Sequence, residues 1–461
     1  MTSPFPFDAM LVFAFLSGLL LVGVALRAKV GVLQKYLFPS CLVGGVVGLV
    51  LMHTRLLDIT TGSIETFAYH FFNISFISVG LTRDDDTGEN PVSGKQMLKG
   101  PTWMALMQGL TFPMQAVVGG LFVIAFGLVG LELFPTFGFL VPLGFNEGPG
   151  QALSIGKAWE GVGFANAATI GLTFAAVGYF FAFFVGVPLV NYGIRKGWAT
   201  FGSGELSRDF IVGLLPKDSK NETAGRLTIH SGNAETLAFQ AALVGIVYGL
   251  TWMAVRFLGA FVPPDAATIL WGFFFFFGLG IAYILKWMMK IAGIVHLVDP
   301  GIQRRITGWS VDYLIVATVA AIQLKIVWDY ILPIGVIALA NGILTTLLVV
   351  YFGKRLDRFG LERSAAIFGT VTGTVSCGLL LLRIVDPEFK TPVAYEIAVM
   401  NIFVLPIVGG GTVLVNAPLW WGWSVGLTVL AFVGIFSVCL LLLKLLGFTK
   451  GQRPSSIEHG A

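Results

Sequence analysis

The residues best suited to bind ions or small solutes lie in an apolar segment, 139–160, that is broken by a Gly-Pro-Gly sequence beginning at Gly148. Such a sequence interrupts a helix and brings the backbone close to whatever passes. Backbone N–H groups at the start of the arm that follows suit a carboxylate, and neighbouring amides add neutral contacts. The predicted binding residues of this segment are Asn146, Glu147, Gly148, Gly150 and Gln151.

Glu147 has two interpretations. A charged side chain at bilayer depth costs about 2.5 to 3.5 kcal/mol on insertion scales, so a carboxylate there normally has a partner or an ion. The sequence therefore indicates either a sodium or proton ligand, or a carboxylate at the watery mouth of the segment.

A second broken segment, 364–385, has a hydroxyl or a glycine at almost every other position. Its hydroxyls and exposed carbonyls could share sodium and solute contacts, because sodium accepts neutral oxygen ligands. The alternative is a small-residue face for close helix packing. The predicted binding residues are Gly369, Thr370, Thr372, Gly373, Thr374, Ser376 and Arg383. Arg383 suits a substrate carboxylate, although anchoring at the inner membrane face explains it equally.

Polar residues on the helices after each segment complete the set, and Asn166 and Asn401 are the predicted binding residues there. The sodium ligands are not fixed by the sequence. The candidates are Glu147, Thr372 and Thr374, and no cofactor other than the ion is expected.

Composition excludes a soluble globular protein: 56% of residues are hydrophobic and 12% are charged, about half the charge of soluble domains. Net charge is +4, which suggests no nucleic-acid partner. Apolar runs predict an all-α membrane protein with eleven spans, and the two broken segments are predicted to be re-entrant hairpins. The predicted spans are 9–26, 37–52, 64–81, 101–131, 167–193, 235–257, 266–285, 309–325, 328–352, 393–417 and 418–446.

Basic residues give the orientation. With the N-terminus outside and the C-terminus inside, only Arg55, Lys157, Arg256 and Lys325 lie outside, and the other 25 of the 29 lysines and arginines lie inside. This agrees with the excess of positive charge in cytoplasmic loops.

The two hairpins divide the chain into repeats of five spans each, 1–195 and 235–417. Because five is odd, the second repeat must be inverted. A linker at 196–234 joins them, and 418–461 adds a C-terminal helix and tail. The last span of each repeat ends similarly, in Gly186-Val-Pro-Leu-Val-Asn191 and Gly411-Thr-Val-Leu-Val-Asn416. Inverted repeats with broken helices are typical of secondary transporters.

The chain resembles the bacterial sodium/glutamate symporter family in its first hairpin, in Gly163-Phe-Ala-Asn-Ala167, and in its second hairpin followed by Arg383 and Asp386. The resemblance implies a homodimer in the bacterial cytoplasmic membrane that imports L-glutamate with sodium. Where the family has Gly-Gly-His-Gly-Thr, this chain has Glu147-Gly-Pro-Gly-Gln151, and in the second loop Gly369-Thr-Val-Thr-Gly373 replaces a phenylalanine-glycine pattern.

The expected function is therefore sodium-coupled import of glutamate or a related acidic molecule. The alternatives are a carrier of another organic anion such as a dicarboxylate, and a passive anion channel or exporter. A channel would call for rings of like charge. No metalloprotease, paired-aspartate or nucleophile-elbow motif occurs in the sequence, and we do not expect an enzyme.

Overall fold

The computed structural model describes residues 7–54, 59–82, 94–200, 208–216, 225–230, 232–387 and 390–449. Helices make up 80% of it, and no strand occurs in these ranges, which confirms the all-α prediction. Parts of the linker, including Lys217, and the tail after 449 lie outside the described residues.

Most of the α-helices in the described ranges are apolar. They are α1 Asp8–Lys29, α2 Gly31–Lys35, α3 Ser40–Thr54, α4 Thr61–Leu81, α5 Gly94–Leu128, α6 Leu140–Phe145, α7 Pro149–Glu160, α8 Ala167–Phe180, α9 Gly186–Arg195, α10 Arg208–Val212, α11 Thr236–Gly259, α12 Pro264–Leu270, α13 Phe274–Ile291, α14 Pro300–Ala320, α15 Leu324–Asp329, α16 Ile331–Gly353, α17 Gly360–Thr372, α18 Val375–Val385, α19 Val393–Leu414, α20 Ala417–Trp420 and α21 Val425–Leu445.

Seven helical stretches of the described chain are long and apolar enough to cross a membrane. They are Asp8–Lys29, Leu98–Leu128, Ala167–Arg195, Thr236–Gly259, Ala266–Ile291, Ile331–Gly353 and Val425–Leu445. An eighth candidate is α19, which bends by 47° between Asn401 and Phe403. Pro406 explains the bend, because it has no N–H for the carbonyl four residues earlier.

The remaining three predicted spans are helical but less suited to a bilayer by length or composition. Helix α3 has 15 residues, fewer than the roughly 20 that cross a bilayer. Helices α4 and α14 have 21 residues each and carry polar or charged side chains. The total of eleven crossings, the re-entry of the hairpins into a bilayer and the inversion of the repeats stay predictions.

The chain divides into two compact units, and each takes corresponding spans of the two predicted repeats, except that 149–173 of the first repeat belongs to unit 1. Unit 1 comprises 1–89, 149–173 and 208–329, and unit 2 comprises 90–148, 174–207 and 330–461. Unit 1 thus holds the first three predicted spans of each repeat, with α7 and the start of α8. Unit 2 holds the fourth and fifth spans, most of the hairpin residues and α21.

Unit 1 packs with a repeated pattern of neighbours. Helix α1 lies on α3 as α11 lies on α13, and α3 packs against α14 as α13 packs against α4, while α4 and α14 contact each other. Small residues permit the close approaches: a Cβ at Gly45 would lie 3.2 Å from the Val316 carbonyl, and one at Gly80 would lie 3.1 Å from the Leu279 carbonyl.

Unit 2 is organised around α5, which contacts α16, α17, α19 and α21. Gly119 of α5 is packed directly on the backbone of Gly138, just before α6, and leaves no room for a side chain at either position. Helix α5 therefore lies beside the elements that carry both hairpin turns of this unit.

Candidate functional site

The two predicted hairpin turns meet in unit 2. Asn146–Gly148 follows α6, and Gly373–Thr374 separates α17 from α18. Gly148 has φ +91°, and a Cβ built on it would lie 3.1 Å from the carbonyl oxygen of Gly373 and 2.9 Å from Cγ2 of Thr374. Only a glycine fits both this backbone conformation and this approach. We call this contact the turn junction.

The two glycines of the turn junction lie at the same distance before the two similar hexapeptides of the predicted repeats. Gly148 precedes Gly186, the first residue of the repeated hexapeptide, by 38 positions, and Gly373 precedes Gly411 by the same 38. This equal spacing is a sequence signal beyond the similarity of the hexapeptides themselves. It indicates that the two turns correspond to each other in the predicted repeats.

The turn junction is supported by a polar stripe on α5, formed by Gln108, Thr111 and Gln115. Spacings of three and four residues place the three side chains on one face of the helix. All three are buried, with exposed fractions of 6%, 0% and 0%. These residues are not among the predicted binding residues, although polar residues at helical spacing inside an apolar span could have indicated them.

The first turn is held to this stripe by a hydrogen bond in which Nδ2 of Asn146 donates to Oγ1 of Thr111 at 2.9 Å. The Thr111 hydroxyl donates within its own helix, to the carbonyls of Met107 and Gln108, so it must accept from Asn146. The amide oxygen of Asn146 is buried without a hydrogen-bond partner among the described residues.

The second turn contacts the same stripe. Nε2 of Gln115 donates to the carbonyl of Val371 at 3.2 Å and to Oγ1 of Thr345, on α16, at 3.1 Å. Pro113 lies inside α5 beside this contact and cannot donate to the carbonyl four residues earlier. The stripe thus links both turns to α5 within one unit.

The arms of the second hairpin are antiparallel and tightly packed. A Cβ at Gly369 would lie 2.6 Å from the backbone of Cys377, and Gly378 is packed on the carbonyl of Ala366. The hydroxyls of Thr370 and Thr372 donate to Ala366 and Phe368, in their own helix. Those bonds leave hydroxyl lone pairs as acceptors only.

The other predicted residues of the second hairpin and its neighbours lie at varied distances from the turn. Thr374 is partly exposed at the turn, and Ser376 is exposed. Arg383 is exposed near the end of α18, about 15 Å along the helix from the turn at 1.5 Å per residue. Asn401 is exposed, and its amide donates to the carbonyl of Ile397. Arg383 therefore lies away from the turn junction.

Three predicted residues belong to unit 1, so the first hairpin is divided between the units after Gly148. Gly150 and Gln151 lie in the first turn of α7, and both are buried. Asn166 lies just before α8 with φ +62°, a conformation that asparagine adopts more readily than most residues. Gly150 is packed against the ring of Phe72, which fills the space of any side chain at that position.

The same unit contains a small ionic cluster on α7. Nζ of Lys157 lies 2.6 Å from Oε2 of Glu65 and 2.8 Å from Oε2 of Glu160. Glu160 also accepts a hydrogen bond from the backbone N–H of Ala168, at the start of α8. This cluster ties the end of α7 to its neighbours.

A buried ion pair fixes the first arm of the second hairpin in unit 2. Arg363, in the second turn of α17, donates from Nε and Nη2 to the two oxygens of Glu396 on α19, at 2.7 and 2.6 Å. The preceding residue, Glu362, accepts from the backbone N–H of Thr200 at 2.7 Å. Adjacent residues therefore hold the start of α17 to two different elements, and Arg363 is a positioning residue for the hairpin.

Among the described residues, no group of three or more His, Cys, Asp or Glu side chains is placed to hold a metal ion. The buried oxygens around the turn junction are instead mostly amides, hydroxyls and carbonyls, a ligand set suited to a hard monovalent cation. The sequence matches no family model and no curated protein.

Proposed function

We propose that the protein is a secondary transporter that carries a small acidic solute, glutamate or a close relative, together with sodium. The transported pair would bind at the turn junction in unit 2. The observation that carries the proposal is the contact of Gly148 with Gly373, because it brings an acid-bearing turn beside the start of a helix.

The start of α18 provides chemistry for an anion. The first N–H groups of a helix have no partner within it, and the helix dipole favours negative charge there. Thr374 occupies the N-cap position, but its side chain makes no capping hydrogen bond. A carboxylate of the solute can therefore accept hydrogen bonds from the first turn of α18.

The first turn provides chemistry for a cation. Glu147 supplies a carboxylate, and the amide oxygens of Asn146 and Gln108, both buried, have no hydrogen-bond partner in the described part of the chain. A sodium ion there would neutralise the acid and satisfy the amides. Opposite charges bound side by side in a low-dielectric site favour each other, which is the basis of coupled transport.

The composition of the two units supports alternating access. Apart from 149–173, each unit combines corresponding spans of the two predicted repeats, and inverted-repeat transporters alternate access by moving one such unit against the other. The bacterial cytoplasmic membrane, with the N-terminus outside, is part of this proposal, as is a homodimer.

Uptake into proteoliposomes tests the proposal. Labelled glutamate, aspartate and four-carbon dicarboxylates would be offered under an inward sodium gradient, an inward proton gradient, or neither. We expect concentrative uptake of at least one acidic solute with the sodium gradient only. Uptake driven by protons without sodium would overturn sodium coupling, and flux that never exceeds equilibrium would favour a passive channel.

A further inference from the structure

A second set of buried oxygens lies between α5, α16 and the second hairpin, separate from Glu147. It consists of the side-chain oxygens of Gln115, Asn341 and Thr345, and we call it the amide pocket. All three side chains have an exposed fraction of 0%. The amide oxygens of Gln115 and Asn341 have no hydrogen-bond partner among the described residues.

The orientation of both amides is fixed by their donors. Nε2 of Gln115 donates to the Val371 carbonyl, which can only accept, so a flipped amide would place two acceptors together. Nδ2 of Asn341 likewise donates to the carbonyl of Ile337. The free groups are therefore the two oxygens, and leaving a buried polar oxygen unsatisfied is costly.

These oxygens lie on adjoining elements. Gln115 contacts Thr345 directly, at 3.1 Å, and Asn341 precedes Thr345 by one helical turn on the same face of α16. Helices α5 and α16 contain no Asp or Glu. Divalent ions in proteins normally take carboxylate ligands, so neutral oxygens alone favour a monovalent cation.

We propose that the amide pocket binds a sodium ion through Gln115, Asn341 and Thr345. This deepens the proposed function by naming a coupling-ion site, although the binding of the ion can be tested without transport. The same Gln115 side chain is bonded to Val371, two residues before Gly373, so the ion would fix the second turn against α5.

The pocket's neutrality gives a reason for coupling. A cation bound by neutral ligands carries a net charge, which is costly to bury unless an anion lies close by. Val371 lies only three residues before Thr374, and Thr374 begins the arm proposed to hold the carboxylate. Sodium and the acidic solute should therefore raise each other's affinity by the same factor.

Thermal unfolding of the purified protein in detergent, followed by its tryptophan fluorescence, measures sodium binding directly. Choline chloride keeps the ionic strength constant, and lithium and potassium serve as further probes. We expect the unfolding temperature of the wild-type protein to rise and then level off as sodium replaces choline, because a ligand of the native state stabilises it. The sodium concentration at half of this rise is called the sodium midpoint. Equal unfolding temperatures in sodium and choline would overturn the proposal.

Three variants locate the ion, Gln115→Leu, Asn341→Leu and Thr345→Val. Each substitution should raise the sodium midpoint at least about tenfold, because it removes one contact with the charged ion. The matched control is Gln240→Leu in unit 1. Gln240 is equally buried, but its amide donates to Leu297 and its oxygen accepts from Gln303. It should lower the unfolding temperature and keep the wild-type sodium midpoint.

Hydrogen exchange on wild-type protein covers the case in which the variants do not fold. Sodium should slow amide exchange in 341–345 and in the second hairpin around Val371, and leave α11 near Gln240 unchanged. Protection confined to the first turn would place the only ion at Glu147 and overturn the amide pocket. Sodium stabilisation without solute uptake would refute the proposed function alone, and sodium-driven uptake with unaltered midpoints in all three variants would refute this inference alone.

Discussion

Gly148 approaches Gly373 so closely that a single methyl group on Gly148 would lie 3.1 Å from the Gly373 carbonyl oxygen. The two glycines are separated by 225 positions in sequence, as are Gly186 and Gly411 of the repeated hexapeptide. The contact therefore joins corresponding positions of the two predicted repeats, and each glycine begins or ends an arm that carries polar groups.

The variant Gly148→Ala should abolish uptake in a folded protein. Alanine at positive φ costs about 1–2 kcal/mol, and its methyl group would push against Thr374. The matched control is Gly130→Ala, because Gly130 has φ +84° and nothing within 4 Å of an added Cβ. Both variants carry the cost of the positive φ, Gly148→Ala should lose more stability because of its contact with Thr374, and only Gly148→Ala should lose transport. If the two variants transported solute equally well, the turn junction would not line the solute path.

The ion pair of Arg363 and Glu396 should govern the stability of unit 2. Breaking a buried pair leaves a charge without compensation and costs about 3–5 kcal/mol, so Glu396→Gln should lower the unfolding temperature strongly. Gly100→Ala should act similarly, because Gly100 is packed on the Glu396 carboxylate. Gly127→Ala, in the same helix with open space around it, is the control and should be neutral or slightly stabilising. A harmless Gly100→Ala would contradict the packing described for this pair.

The turns are predictable from sequence, whereas the surroundings of the turns are not. Gly-Pro-Gly and the alternating Thr and Gly residues interrupt apolar runs visibly, and the equal spacing to the hexapeptides aligns the two repeats. Of the turn glycines Gly148, Gly150 and Gly373, Gly148 alone has a positive φ. Gly373 has φ −150°, and Gly150 lies inside α7. Their neighbours, Phe72 and Cys377, require the absence of a side chain.

Some site residues could not be predicted from the sequence, because their partners lie on other helices. Gln108, Thr111 and Gln115 resemble isolated polar residues until the partners are known. Thr111 accepts a hydrogen bond from the first turn, and Gln115 donates to the second hairpin and to α16. In the sequence, Arg363 likewise resembles the other basic residues predicted at the inner membrane face. Its partner, Glu396, is 33 positions away, and only tertiary packing joins them.

Gly150→Leu should prevent normal folding. Leucine would displace the Phe72 ring from the contact between α7 and α4, and overpacking a buried site typically costs about 1–3 kcal/mol. Size-exclusion profiles and membrane yield measure this directly. A second substitution, Phe72→Ala, should restore part of the yield to Gly150→Ala by making room. Normal yield and unfolding temperature for Gly150→Leu alone would contradict the close packing.

Cysteine labelling tests the proposed orientation. The native Cys41, Cys377 and Cys439 are buried, so an impermeant thiol reagent should leave wild-type protein unlabelled. Glu132→Cys replaces an exposed side chain in a loop predicted outside, and Lys290→Cys replaces one in the last turn of α13, at the end predicted inside. In intact cells only Glu132→Cys should react, and Lys290→Cys should react after permeabilisation. Labelling of Lys290→Cys in intact cells would reverse the orientation.

Thr374→Val should weaken solute binding without slowing the transport of bound solute. Thr374 lies partly exposed at the turn junction, and valine keeps its shape while removing the hydroxyl. Loss of one hydrogen bond to a charged solute predicts an apparent KM about tenfold or more above wild type at saturating sodium, with an unchanged maximal rate.

The control for this hydroxyl is Thr346→Val. Thr346 also belongs to unit 2, and its hydroxyl donates to the Gly342 carbonyl in its own helix, at 2.7 Å. It should transport with wild-type KM and maximal rate. Measuring KM for the solute at saturating sodium, and for sodium at saturating solute, separates the two ligands. An unchanged solute KM in Thr374→Val would remove Thr374 from the binding site, and a change confined to the sodium KM would make its hydroxyl an ion ligand instead.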